Sequence, residues 1–266
     1  MYENFYGFKE KPFNVTADPT FFYLSRRHKE AFSHLVYGIQ DRKGILEITG
    51  EIGTGKTTLC RALLNHLDRS TKTAFILNPY LSQVQLLQAI MADLGLNLKS
   101  RTKLALINAL NDFLLREANC GNNVVILIDE AQNLSSKQLE QIRLLSNLET
   151  EKLKLLQIVL VGQPELCDKL KQPSLRQLNQ RIAVRYHILP LERDELEEYI
   201  KHRLHIARAK SKIEFSQDAL SEIFSYSGGT PRLINILCDR ALLAGFVLET
   251  NTISRDLIKK CIEELG

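Results

Sequence analysis

The sequence predicts an α/β fold with a mainly parallel sheet, followed by an all-helical region. Five short runs of apolar or β-branched residues alternate with stretches long enough to form helices, and this alternation is typical of parallel sheets. After Leu191 the strand-like runs stop and four helical patterns follow. We therefore expect an α/β core over residues 1–191 and a helical domain over residues 192–266.

Composition narrows the class of protein before any motif is considered. Of the 266 residues, 44% are hydrophobic and 25% are charged, which is ordinary for a soluble globular protein and excludes disordered or collagen-like chains. The net charge of +4 is too small to imply a nucleic acid or an anionic membrane as partner. The five cysteines are scattered, and no apolar stretch approaches the roughly 20 residues of a membrane span. We expect a cytoplasmic chain without a membrane span.

The first 24 residues form an aromatic segment. They hold eight of the nineteen aromatic residues of the chain, and Pro12 and Pro19 interrupt them. This composition predicts an irregular segment that covers a hydrophobic core. Directly after it, Ser25 can cap a helix that begins near Arg26.

The remaining elements follow from the length and period of the apolar runs. The predicted strands are 45–49, 73–77, 124–128, 157–161 and about 185–189. The predicted helices of the C-terminal region are 194–209, 216–226, 232–248 and 254–265. Gly228, Gly229 and Pro231 mark a break before the third of these helices.

A glycine-rich motif follows the first predicted strand and precedes a helical pattern. It consists of Gly50-Glu51-Ile52-Gly53-Thr54-Gly55-Lys56-Thr57, and Thr58 comes next. The spacing G-x-x-x-x-G-K-[ST] indicates a phosphate-binding loop, because glycines let backbone N–H groups turn toward phosphate oxygens and the helix start adds its positive dipole end. We expect Lys56 to neutralise the β- and γ-phosphates and the Thr57 hydroxyl to bind Mg²⁺.

A pair of acids ends the third predicted strand. The apolar run 124–128 leads into Asp129-Glu130, so the strand should deliver both carboxylates to its C-terminal edge, beside the phosphate loop. Asp129 is predicted to hold the Mg²⁺ shell through water. Glu130 can then orient and deprotonate a water that attacks the γ-phosphate.

These two motifs, in this order and with a helical domain behind them, resemble the AAA+ ATPases, a group of P-loop NTPases. The resemblance implies a three-layer core around a parallel sheet and a C-terminal α-helical lid. Gln163, after the fourth strand, matches a side chain that contacts the γ-phosphate or the attacking water in the family; an ordinary turn residue is the alternative. Asn78, after the second strand, matches a residue that restrains the catalytic glutamate in many members, and turn chemistry explains it equally well.

The resemblance also implies roles for arginines. Arg181 matches the arginine finger that reaches the nucleotide of the neighbouring subunit, with Arg176 as the other candidate. Arg232, in Gly228-Gly229-Thr230-Pro231-Arg232, matches a lid arginine that meets the phosphates when the lid closes. The alternative for each is an ordinary surface or capping position.

Motifs elsewhere in the chain resemble the general secretion pathway A-type ATPases of Gram-negative bacteria and their relatives among transposition and exopolysaccharide ATPases. The motifs are Tyr6-Gly7-Phe8, Pro12-Phe13, Asp18-Pro19, Tyr23-Leu24-Ser25, Asp129-Glu130-Ala131-Gln132 and Leu160-Val161-Gly162-Gln163-Pro164-Glu165-Leu166. The resemblance implies a cytoplasmic ATPase that drives assembly of a secretion or envelope complex with a protein partner. Longer members continue into a membrane span, so we expect either the cytoplasmic part of such a protein or a shorter relative.

The leading hypothesis is therefore an Mg²⁺-dependent ATPase that works as a homo-oligomeric ring or partial ring, since Arg181 would act on a neighbouring subunit. ATP is expected from the resemblance, because no clear guanine-reading N/T-K-x-D motif is present. One alternative is an ATP-gated DNA switch in which the basic run 201–212 meets phosphates, although acids just upstream favour a solvated helix face. The other is a nucleotide-dependent interaction module with little turnover, against which intact Lys56 and Glu130 argue.

Overall fold

The computed structural model describes residues 2–68, 70–77, 79–96, 102–151, 153–209 and 211–265. The chain forms two compact units. The sheet unit comprises His28–Ile52 and Cys60–Ile188. The helical unit comprises Met1–Arg27, Gly53–Leu59 and Leu189–Gly266. The division of the chain into a core over residues 1–191 and a lid over residues 192–266 stays a prediction.

The helices alternate with strands as far as residue 188 and dominate the chain after it. In chain order the α-helices are α1 (Tyr2–Tyr6), α2 (Arg26–Gln40), α3 (Lys56–His66), α4 (Gln83–Asp93), α5 (Lys103–Asn119), α6 (Ser136–Leu145), α7 (Pro164–Leu170), α8 (Arg176–Arg181), α9 (Leu196–Ile206), α10 (Gln217–Ser227), α11 (Pro231–Val247) and α12 (Arg255–Leu265). None of the helices in the described residues combines the length and apolar character that a membrane span requires.

Within the described residues of the sheet unit, five parallel strands form one sheet. They are β1 (Ile45–Gly50), β2 (Thr71–Ile76), β3 (Asn123–Ile128), β4 (Gln157–Gly162) and β5 (Ile182–Ile188), in the order β2-β3-β4-β1-β5. Every residue of β1 and β4 is buried, as expected for central strands that are covered on both faces. The predicted α/β fold with a parallel sheet is thus confirmed. Only β5 begins well before its predicted start, at Ile182.

Helices cover both faces of β1, which gives the sheet unit its three layers. Gly38 of α2 lies against Leu46 and Val184 on one face, so closely that a Cβ atom at Gly38 would meet the Leu46 side chain. On the other face, Cys167 of α7 contacts Glu47. The main core lies between β2, β3 and β4 and the helices α4, α5, α6, α7 and α8.

The helical unit has its own core, which α9, α10, α11 and α12 share with the aromatic N-terminal segment. The hydroxyl of Tyr6 donates to the carbonyl oxygens of Leu242 and Thr250, at 3.2 and 3.1 Å. The guanidinium of Arg203 donates to the carbonyl oxygen of Pro12 and lies over the ring of Phe21. The segment therefore packs into the helical unit, and the regular elements among its described residues are the short α1 and a 3₁₀ helix at Pro19–Phe21.

Two strands of two residues each also lie in the helical unit. Glu214–Phe215 (β6) pairs in parallel with Thr252–Ile253 (β7). This pairing joins the segment just before α10 to the segment just before α12. Runs this short give no periodic signal in the sequence. The four predicted C-terminal helices agree with α9, α10, α11 and α12 to within three residues at each end.

Candidate functional site

The glycine-rich loop connects the end of β1 at Gly50 to the start of α3 at Lys56. Gly53 and Gly55 have φ angles of +83° and +93°, a region in which side chains are strained, so these positions require glycine. Thr54 is buried, and Lys56 is only 7% exposed at the first position of the helix. Glu51 and Ile52 are exposed, whereas Thr57 and Thr58 are half-buried in the first turn of α3.

Arg232 lies against this loop within the helical unit. Its backbone N–H donates to the carbonyl oxygen of Gly53 at 3.2 Å, and a Cβ atom on Gly53 would lie 2.6 Å from the Cβ of Arg232. Thr230 caps α11, Pro231 occupies its first turn, and the Arg232 residue is exposed. The backbone of Arg232 thus contacts the phosphate loop.

The two acids lie at the carboxyl end of β3, as predicted. Asp129 is 2% exposed, and its backbone N–H continues the sheet by donating to the carbonyl oxygen of Ile76 at 2.8 Å. The backbone N–H of Glu130 donates to the Asp129 carboxylate at 2.9 Å. Glu130 has a φ of +51°, a left-handed conformation that costs free energy for a residue other than glycine and is concentrated at functional sites.

Gln163, at the end of the neighbouring strand β4, reaches the carboxylate of Glu130. Its side-chain Nε2 donates to Glu130 Oε2 at 3.2 Å. The side-chain Nε2 of Gln132 donates to the same oxygen at 2.5 Å. The side-chain Oε1 of Gln132 accepts from the backbone N–H of Gln163 at 3.1 Å. Gln132 stands in the motif around Glu130, but no residue pattern in the sequence shows that its side chain turns back to the carboxylate.

The arginine-finger candidates lie elsewhere on the sheet unit. Arg181 is the last residue of α8, and its guanidinium donates to the side chains of Asn147 and Ser146. Arg176 is the exposed first residue of the same helix. Hydrogen bonds from Arg143 lower the pKa of the nearby Glu140 carboxyl, and the charge of Arg181 adds to this effect. The structure therefore does not join Arg181 to the cluster of Glu130 and Gln163.

Two further sequence predictions, the role of Asn78 and the basic run 201–212, involve residues that the structure does not describe. Asn78 lies outside the described residues, as does Lys210 of the basic run. Within the part of the chain that the structure describes, no group of three or more His, Cys, Asp or Glu side chains could hold a metal ion by itself. The Thr57 hydroxyl and the Asp129 carboxylate do supply oxygen donors of the kind that Mg²⁺ prefers, so the chemistry of these residues fits that ion.

Comparison with known proteins finds a domain family and a relative of this chain. Residues 39–170 match the family model described as AAA domain. Over 247 residues the chain is 48% identical to general secretion pathway protein A of Aeromonas hydrophila, an alignment that covers 92% of this chain and 45% of that protein. The chain thus spans slightly less than half the length of this relative.

Solved structures share the fold at low sequence identity. The ORC2 protein of Aeropyrum pernix superposes with a TM-score of 0.70 at 16% identity, covering 97% of this chain and 72% of that one. Cdc6p of Pyrobaculum aerophilum gives 0.70 at 19% identity, over 92% of this chain and 70% of that one. The Thermotoga maritima RuvB branch migration motor gives 0.58 at 21% identity, over 90% and 68%. These findings show that the chain shares the fold of these P-loop NTPase structures, contains an AAA domain and is related to general secretion pathway protein A.

Proposed function

We propose that this chain binds ATP together with Mg²⁺ and hydrolyses it. The observation that carries the proposal is the hydrogen bond between Gln163 and the Glu130 carboxylate at the carboxyl edge of the sheet, in a chain whose next strand, β1, leads into a phosphate loop. Ligands of open parallel sheets bind beyond this edge. A carboxylate and an amide that converge there can hold one water molecule between them and a terminal phosphate.

The proposed roles follow from the chemistry of each residue. The backbone N–H groups of residues 50–58 and the Lys56 ammonium would bind the phosphates, and the start of α3 adds its dipole. Thr57 and Asp129 would hold Mg²⁺, which supplies positive charge against the charge that develops on the phosphates. Glu130 would accept a proton from the attacking water, with Gln163 orienting that water.

The two arginines have different proposed roles. Arg232 is hydrogen-bonded to Gly53, so a rearrangement of the loop when nucleotide binds would be transmitted directly to the start of α11. Arg181 ends α8 and is largely exposed, as a residue must be if it stabilises charge on the nucleotide of a second copy. We therefore propose a homo-oligomer, a ring or partial ring, as the active form.

The cellular process is proposed from the relative. General secretion pathway protein A is 48% identical over most of this chain, which supports a cytoplasmic ATPase module that drives assembly of a secretion or envelope complex through a protein partner. The chain spans 45% of that relative, so this role is proposed for the module rather than for a whole protein.

Phosphate release from Mg-ATP, measured over a wide range of protein concentrations with particle size recorded in the same samples, tests the proposal. Lys56→Ala should lose nucleotide binding, and Glu130→Gln should bind ATP without turning it over. Arg181→Ala should bind ATP but lose the turnover that rises with concentration, whereas the matched control Arg176→Ala should keep it. Tight ATP binding without turnover at any concentration would contradict hydrolysis and favour an interaction module.

An ATP-gated DNA switch is the second candidate. A cavity of about 440 Å³ in the helical unit is lined by the cationic residues Lys201, Arg208 and Lys212. Lys201 and Lys212 are, however, ion-paired with Glu197 and Glu214, each at 2.6 Å, which reduces the positive charge available to phosphates. ATP-dependent retention of duplex DNA that weakens steeply with salt and is lost in Arg208→Ala would favour this candidate.

A further inference from the structure

Gln132 closes a ring of hydrogen bonds with Glu130 and Gln163. Its Nε2 donates to Glu130 Oε2, and its Oε1 accepts from the backbone N–H of Gln163, while the Gln163 side chain donates to the same Glu130 oxygen. Because a backbone N–H can only donate, it must face the amide oxygen of Gln132. The Gln132 NH₂ group must then face the carboxylate, so the ring fixes the orientation of the amide.

The surrounding chain holds this amide in place. The ammonium of Lys169 donates to the backbone carbonyl oxygens of Gln132 and Leu134, which anchors the short 3₁₀ helix Ala131–Asn133 to α7. A Cβ atom on Gly162, the last residue of β4, would lie 2.8 Å from Gln132 Oε1, so a side chain there would displace the amide from its present position. Residues of α7 and β4 therefore both help to fix the position of Gln132.

The ring divides the two oxygens of the Glu130 carboxylate. Oε2 accepts two amide N–H groups, whereas Oε1 accepts no hydrogen bond from the described residues. Among the described residues, Oε1 is thus the oxygen left available to take a proton from a water molecule. A general base works efficiently only when this oxygen is held in one direction, because small misplacements cost large factors in rate.

We propose that Gln132 is a positioning residue: it sets the direction of the Glu130 carboxylate and couples it to the loop that carries Gln163. The inference rests on the proposed function, in which Glu130 is the general base. Gln132 acts through Glu130 and Gln163. Its loss should therefore lower kcat for Mg-ATP and leave KM nearly unchanged.

The sharpest test replaces the donor and keeps the size of the side chain. Gln132→Glu still offers an oxygen to the backbone N–H of Gln163 but cannot donate to Glu130, and it places a second carboxylate beside the first. We expect kcat to fall roughly 10- to 100-fold, with KM within about twofold of the unchanged chain. Asn133→Asp is the matched control, since this amide is next in the same 3₁₀ helix and pairs with Tyr80 instead; it should keep full turnover.

A swapped pair tests the hydrogen bond without relying on turnover. Gln132→Glu alone should lower the melting temperature by about 2–4 °C. Combining it with Glu130→Gln should recover part of that loss, because the repulsion between two neighbouring carboxylates is removed, whereas the Gln163 amide loses its acceptor. A single variant that melts as the unchanged chain does, or a kcat that stays the same or rises, would overturn the inference.

The same experiment separates this inference from the proposed function. If Glu130→Gln turns over ATP as fast as the unchanged chain, the role of Glu130 as base fails, whatever Gln132 does. If Glu130→Gln abolishes turnover while Gln132→Glu does not reduce it, only the role of Gln132 fails.

Discussion

Arg232 donates its backbone N–H to the carbonyl oxygen of Gly53, and its Cβ lies where a side chain on Gly53 would begin. The first turn of α11 and the phosphate loop therefore touch at the level of their backbones. A contact of this kind tolerates no side chain at residue 53. It makes the glycine spacing of the loop a requirement of packing as well as of phosphate binding.

Gly53→Ala should destabilise the chain and weaken ATP binding. The left-handed φ of +83° costs an alanine about 1–2 kcal/mol, and the contact at 2.6 Å forces the loop and α11 apart. Chemical denaturation and ATP titration measure the two effects. Gly95→Ala is the matched control, because Gly95 also has a positive φ but no atom within 4 Å of its added Cβ. Equal losses in both variants would show that the contact with Arg232 contributes nothing.

Arg185→Ala should leave the buried carboxylate of Glu47 without its positively charged partner. Glu47 is 2% exposed in the middle of β1, where its Oε1 accepts from the Cys167 thiol and its Oε2 lies 3.3 Å from the Arg185 guanidinium. Arg185 is itself 43% exposed, so we expect a loss of about 2 kcal/mol in the free energy of unfolding, between the values for exposed and for buried pairs. Urea denaturation measures this loss.

The controls for that prediction test the charge itself. Lys171→Ala removes the solvent-exposed ion pair with Asp168 and should cost less than about 0.5 kcal/mol in the free energy of unfolding. Adding Glu47→Gln to Arg185→Ala should recover part of the stability, because no unpaired charge then remains. A double variant that is less stable than Arg185→Ala alone would contradict the explanation.

The helical unit should lose stability in alkaline solution. Burial raises the pKa of Tyr6 to about 12, and burial together with Glu198 raises that of Tyr23 to about 12, from 10 in the unfolded chain. Between pH 10 and 12 the unfolded state therefore releases protons that the folded state keeps, so the stability present below pH 10 is lost as the pH rises. Melting temperatures across this range should fall, and the fall should be shallower in Tyr6→Phe. An equal slope in that variant would exclude Tyr6 as a source.

Cys120 should be the first thiol to react. It is exposed at the end of α5, whereas Cys60, Cys238 and Cys261 are buried and Cys167 is half-buried. Burial raises the pKa of the Cys238, Cys261 and Cys167 thiols, and each unit of such a rise lowers the reactive thiolate about tenfold. Reaction with a disulfide reagent should show one fast phase in the folded protein. That phase should vanish in Cys120→Ser, and its persistence would assign it to another thiol.

The parts of the fold that the sequence predicts well are those with a strong local signal. The strands at Ile45, Asn123 and Gln157 are buried on both faces and so are nearly continuous apolar runs. The start of β5 was missed because it is an edge strand with alternating exposure, and residues 183 and 185 are exposed.

The residues of the candidate site also differ in whether a local sequence signal predicts them. Spacing and strand context predict roles for Lys56, Asp129 and Glu130, and the resemblance predicts that Gln163 contacts the γ-phosphate or the attacking water; these roles stay predictions. The hydrogen bond that joins Gln163 to Glu130 is a contact that only the structure shows. The part played by Gln132 depends on the left-handed backbone of Glu130 and on an amide that is oriented by a neighbouring strand. Neither property has a period or a spacing, so only three-dimensional contacts reveal it.

The packing of the aromatic segment has a consequence for biosynthesis. Tyr2 donates a hydrogen bond to Asp239, which is added to the growing chain 237 residues later. Until α11 has emerged from the ribosome, the first aromatic residues have no core to enter, and they remain open to chaperones or to other nascent chains. The aromatic segment is synthesised before the helices that bury it, so it is among the last parts of the helical unit to fold.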